Sequence, residues 1–138
     1  MADPASGTRP VFTRTFTAAP DDIDELGHVN NAVWVRWIQD IAVAHWDAVA
    51  PEDHRAAYFW VVTRHEIDYR GNVGVGETVT GTTWVGEAPK GARFDRHVRF
   101  TDADGRVTVE AVTSWALIDR ARGRLARVRP ELAAPFLN

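Results

Sequence analysis

One long amphipathic stretch, followed by sequence that reads as strand, most constrains what this chain can fold into. From Asn31 to Val49 apolar residues fall at helical spacing. Val33, Trp37 and Ile41 recur at i, i+4 and i+8, while Trp34, Ile38 and Ala42 fill the adjoining ridge. Arg36, Gln39, Asp40 and Asp47 fall on the other side, and Pro51 stops the pattern. A stripe this wide, carrying two tryptophans, predicts the most buried element of the protein. No second convincing helix follows it. Alternation and β-former content predict strands over 11–18, 57–69, 77–86, Arg93–Thr101 and Val107–Asp119, with Asp104-Gly105 as a hairpin turn. A short last strand over 124–128 precedes Pro130. One helix cannot cover both faces of such a sheet. The expectation is therefore an α+β fold, one long buried helix wrapped by a curled antiparallel sheet of about five strands. Apolar strand surface that the helix leaves uncovered predicts self-association, as a dimer or tetramer.

With 138 residues the chain fits one domain, expected over 11–138 behind a loose tail at 1–10. At that size about two-thirds of the unfolded surface is buried, enough for a core without staples. The absence of cysteine excludes a disulfide scaffold and a thiol nucleophile, and agrees with a cytoplasmic protein. The start MADPASGTRP has no basic n-region or apolar run, and no stretch approaches the ~20 apolar residues of a membrane span. Neither a secretory signal nor a membrane partner is expected. A net charge of −3 makes nucleic acid a poor partner too. The charge is unevenly placed: DDIDE at 21–25 is acidic, whereas 119–129 carries five arginines. Fifteen of the sixteen basic residues are arginine, so coding bias competes with function as the reason for that cluster.

Several chemistries are excluded by what the sequence lacks. Its two serines, Ser6 and Ser114, lie outside any G-x-S-x-G elbow, and no G-x-G-x-x-G follows a strand. His28, His45, His54, His65 and His97 show no metal-ligand spacing, so neither a metal nor another cofactor is expected. What remains is the polar loop Asp22-Ile23-Asp24-Glu25-Leu26-Gly27-His28-Val29-Asn30-Asn31, directly before the helix. Gly27 permits a tight turn, and Asn30 or Asn31 is a natural N-cap. First-turn amides at the positive end of a helix dipole would polarise a carbonyl, and a carboxylate beside them suits attack on an acyl carbon. An ordinary capping loop rich in Asp and Asn is the competing reading.

The pattern D-x-D-x-x-G-H-V-N-N followed by W-x-x-W resembles the signature of hotdog-fold acyl thioesterases, nearest the 4-hydroxybenzoyl-CoA thioesterase-like group. The stretch IDYRGNVGVGET at 67–78 is similar to that family's second strand, loop and third strand, and the resemblance runs from Val11 to about Val128. It implies a hotdog fold and hydrolysis of a small or medium acyl-CoA to free acid and CoA, with acyl carrier protein as the alternative carrier. The second Asp of D-x-D, Asp24, would be the catalytic nucleophile or general base, with His28 and Asn31 beside it. The backbone amides of Asn31 and Ala32 would form the oxyanion hole. Gly27, Trp34, Thr63 and Glu66 would line the substrate pocket, the last two from a partner's second strand. Lys90 and Arg93 are the local choice for CoA phosphates, with the arginines of 120–129 in reserve. Asp22 reads as a turn acid. The sequence also departs from its relatives. Leu26 stands where plant-type acyl-ACP thioesterases carry Asn, Trp34 and Trp37 where the family often has Tyr, and Gln39 where it often has an acid. Two other readings compete: a non-catalytic acyl-CoA or acyl-carrier-protein binding module, and a hydratase, whose usual Asp/His arrangement is not found.

Overall fold

The computed structural model describes residues 10–137; the expected tail at 1–10 lies, apart from Pro10, outside the described residues. The elements run β1 (Phe12–Thr17), a 3-10 turn (Pro20–Asp22), α1 (Asn31–Val49), α2 (Glu52–Ala57), β2 (Tyr58–Tyr69), β3 (Thr78–Trp84), β4 (Arg93–Thr101), β5 (Val107–Asp119), β6 (Arg124–Leu125) and α3 (Pro130–Leu137). Five strands form one antiparallel sheet in the order β1-β3-β4-β5-β2, and the two-residue β6 pairs with the end of β5. The sheet curls around α1, giving the α+β architecture that one wide-striped helix and a run of strands require.

Helix α1 buries Val33, Trp34, Trp37, Ile38, Ile41, Ala42 and His45, the stripe expected from the sequence with one histidine added. Its first half packs with Phe16, Val79, Val98, Phe100, Val109 and Ala111 from the sheet. A second apolar cluster joins Ala50, Val85, Phe94, Leu117, Val128, Leu132, Ala133 and Phe136, with Trp46 and Trp60 against it. Gly81 in β3 permits the close approach of helix to sheet: a Cβ there would lie 2.9 Å from Ile41 Cδ1 and 3.0 Å from Phe100 Cε1.

Two helices correct the expectation of only one. Helix α2 spans six residues and buries none of them, too short for a periodic stripe to show. It follows Pro51 at its N-cap, with Glu52 and Asp53 in its first turn. Helix α3 begins at Pro130 and contains Pro135, which made it read as a terminator; Leu132, Ala133 and Phe136 nonetheless form a buried stripe. The last strand is shorter than expected, ending at Leu125.

The register defines the two ends of the sheet. Thr17, Thr78, Thr101, Val107 and Tyr69 gather near one; Arg93, Asp119 and Tyr58 lie at the other. β2 forms a sheet edge, with β5 on its inner side.

Candidate active site

The loop from Asp22 to Asn30 is built almost entirely from backbone bonds that its own side chains complete. Ile23 and Val29 form an antiparallel bridge, Asp24 N–H donates to His28 O at 2.7 Å, and Gly27 N–H donates to Asp24 O at 3.1 Å. Gly27 sits at φ +81°, which an L side chain rarely adopts, so the glycine is needed for the turn itself. Asn72 pins the loop to the segment after β2. Its Oδ1 accepts from Val29 N at 3.1 Å, and its Nδ2 donates to Val29 O at 3.3 Å.

Two carboxylates in this loop do different work. Asp22 is buried; its Oδ2 accepts from Ala19 N at 2.9 Å and its Oδ1 from Arg36 Nη2 at 3.0 Å. The Ala19 amide first, then Arg36, hold its carboxyl below the usual carboxylate range. It fastens the 3-10 turn to α1, in keeping with a turn acid. Asp24 faces the loop surface. Its Oδ1 accepts from Leu26 N at 2.9 Å and from His28 N at 3.1 Å. Both bonds fall on one oxygen, which fixes the carboxylate and leaves Oδ2 without a hydrogen-bond partner among the described residues.

Asn30 is the N-cap of α1 and its side chain accepts from Ala32 N at 2.9 Å. This corrects the expected oxyanion pair: Ala32's amide is spent on the cap. Val33 N–H and Trp34 N–H both donate to Asn30 O. The Asn31 N–H is the first-turn amide left without a partner among the described residues. It stands seven residues after Asp24, across a loop closed on itself by the Ile23–Val29 bridge.

The remaining expected site residues are scattered. His28 is exposed and contributes its backbone to the loop, where Gly27 is exposed as well. Trp34 is fully buried, edge-on to Trp37 at 5.2 Å and 5.3 Å from Phe100, so it belongs to the core and not to a substrate pocket. Alternation decides the faces of β2. His65 points to α1, 3.4 Å from Gln39 Nε2, and burial lowers its pKa. Glu66 therefore lies on the opposite, outer face, exposed and paired with Arg64 at 3.4 Å; it does not approach Asp24 within one subunit. Thr63 is the bulged residue of β2, with its Oγ1 donating to Ser114 O at 3.2 Å.

Lys90 and Arg93 close the turn entering β4 through paired backbone bonds of 2.9 and 3.0 Å. They lie at the end of the sheet away from the Asp24 loop, which is tied to Asn72 and Val73 beyond the other end of β2. Arg93 also grips Asp95 with both arms, Nε to Oδ1 at 2.8 Å and Nη2 to Oδ2 at 3.0 Å. That pair keeps the Asp95 carboxyl below the usual range and occupies the charge expected to meet phosphate. A cleft of about 260 Å³ also lies at this end, beside Trp46, Trp60, Phe94, Trp115 and Phe136.

Residues 18–136 match the family model of the Thioesterase-like superfamily. A chloroplastic acyl-[acyl-carrier-protein] hydrolase from Cuphea viscosissima is 29% identical over 83 residues, covering 59% of this chain and 20% of the relative. The chain thus spans about one fifth of the length of that curated relative. Among solved structures, a Staphylococcus aureus protein characterised in complex with CoA superposes with a TM-score of 0.81 at 17% identity, covering 92% of this chain and 82% of its own. A putative oleoyl thioesterase from Lactobacillus plantarum gives 0.83 at 18% identity, over 96% of this chain and 52% of that one. These likenesses carry the fold, which is the hotdog fold. The family match carries more, because it runs from the end of β1 into the last turn of α3 and takes in the whole Asp24 loop. The chain is a member of the thioesterase-like superfamily.

Proposed function

We propose that the protein hydrolyses acyl thioesters, with acyl-CoA as the first carrier to test and acyl carrier protein as the second. The observation that supports this most is a carboxylate fixed through one oxygen by two amides of its own loop, in the segment that leads into a helix start whose Asn31 N–H has no partner among the described residues. The thioester carbonyl oxygen would accept from Asn31 N–H, which polarises the acyl carbon. Asp24 Oδ2 would then take a proton from water as that water attacks, or attack the carbon itself to give an acyl-enzyme anhydride that water opens. In both routes the C–S bond breaks, the thiolate leaves, and the acyl group departs as a carboxylate. A thiolate is a good leaving group, so no general acid is required.

The separation of Asp24 from Lys90 supports a site shared between copies. A second copy running antiparallel along the β2 edge would bring its Lys90 end beside the first copy's Asn72 and Asp24 loop. Lys90, whose charge Asp95 does not take, is then the better phosphate contact of the expected pair. The test is thiol release from a panel of alkyl- and aryl-acyl-CoAs and an acyl carrier protein thioester. Saturable release from at least one supports hydrolysis. Binding of every acyl-CoA without release would return the protein to a binding role.

A further inference from the structure

The aromatic cleft holds a charge that nothing in the Asp24 chemistry uses. Arg96 lines it from β4, only 8% exposed, on the same strand face as Phe94, Val98 and Phe100. Its Nη1 donates to His45 Nδ1 at 2.8 Å and to Thr83 Oγ1 at 3.0 Å. Arginine has no acceptor, so His45 receives that bond on Nδ1 and carries its proton on Nε2. Burial first, and Arg96 next, push the His45 pKa down to about 3, so both partners are neutral. Burial alone lowers the Arg96 pKa, to about 10, with no carboxylate opposing the shift. A guanidinium held out of water by neutral acceptors is an incomplete arrangement, because a buried charge is stabilised chiefly by an opposite charge.

The other charges on the cleft point the same way. Arg55 and Arg120 line it, Arg120 with its guanidinium 5.0 Å above the Phe59 ring, against Asp47 and Asp95. Asp95 is already committed to Arg93 through two bonds. The balance around the opening is therefore positive, while the walls are aromatic. Within one subunit this cleft is remote from the Asp24 loop: fourteen residues of helix separate Asn31 from His45, about 21 Å at 1.5 Å per residue.

We propose that this cleft binds an apolar monocarboxylate, its hydrocarbon among Trp46, Trp60, Phe94 and Trp115 and its carboxylate at the Arg96 guanidinium. The ligand is a free acid, and binding requires no turnover. The three tryptophans in the walls report it directly. Titration of the intact protein with octanoate or 3-phenylpropanoate should change tryptophan fluorescence to saturation. The matching amides, octanamide and 3-phenylpropanamide, should bind at least about tenfold more weakly, the worth of one charge-assisted contact. Arg96→Met should erase the preference for acid over amide while leaving amide affinity unchanged. Equal affinity of the wild-type protein for acid and amide overturns the proposal, and so does absence of binding by either acid. That comparison needs no variant, so it decides even if Arg96→Met does not fold. Retention of the acid preference in a folded Arg96→Met protein overturns it equally. No thioester is present in the experiment, so failure here leaves the hydrolase reading untouched.

Discussion

At the scale of single residues, the loop before α1 separates work that its sequence runs together. Asp22 and Asp24 are two residues apart and equally acidic on paper. Asp22 is spent on Ala19 and Arg36, whereas Asp24 is fixed through one oxygen at the loop surface. Asp22→Asn should therefore lower stability by about 1–3 kcal/mol, the range for a broken buried charged hydrogen bond, with kcat close to wild type. Chemical denaturation alongside thiol release checks both halves; a large loss of kcat at unchanged stability would contradict the division. The sequence carried Asp24 through its motif, and the cap through Asn30 or Asn31. It did not carry the fate of Ala32's amide, since which Asn caps decides which amide remains. Nor did it carry Arg96, although period-two alternation from Phe94 to Phe100 places that residue on the inner face. A charge in a strand reads as solvent-facing until its neighbours are known.

His45 makes the stability of the fold depend on pH. The unfolded chain takes up its proton near pH 6.5, while the folded protein refuses it until about 3. Protonation thus favours unfolding, and the stability His45 contributes is lost as pH falls from about 6.5 towards 3. Between pH 6.5 and about pH 4 this amounts to on the order of 3 kcal/mol, with His65, lowered by burial as well, adding in the same direction. His45→Gln keeps an acceptor for Arg96 and removes the titration. Its melting temperature should fall less steeply across that window than the wild-type one. Parallel curves would show that His45 is not the acid-sensitive group.

At the scale of elements, legibility followed length and periodicity. The bounds of α1, β4 and β5 follow from strict helical or alternating patterns over nine residues or more. Helix α2 is too short to display a period, and α3 is punctuated by Pro130 and Pro135 although tertiary packing of Leu132 and Phe136 holds it. Helix and sheet meet most tightly at Gly81, whose missing side chain leaves room for Ile41 and Phe100. Gly81→Ala puts a methyl inside their contact distance and should destabilise by about 1–3 kcal/mol, as overpacking does in a closed core. Ile41→Val in the same background should recover part of the loss by vacating the Cδ1 position. A Gly81→Ala protein as stable as wild type would mean that the helix can lift off the sheet without penalty.

At the scale of the whole molecule, the single subunit keeps its parts at opposite ends. The Asp24 loop lies by Asn72, while Lys90 and the aromatic cleft lie where β4 begins. The motif points to the loop, but no sequence pattern states which end of a sheet a later residue reaches, so the placement of Lys90 and Arg93 at the opposite end of the subunit from Asp24 is not legible in the sequence. A shared site requires association. Light scattering at micromolar concentration should give a dimer or tetramer; a monomer that still turns over would rule out the shared site. The role proposed for Asp24 in thioester hydrolysis is tested by thiol release from purified Asp24→Asn against wild type, on the best acyl-CoA, with folding matched by circular dichroism. A fall in kcat of at least about 10²-fold is expected from losing a nucleophile or general base. Near-wild-type turnover by folded Asp24→Asn would contradict the account.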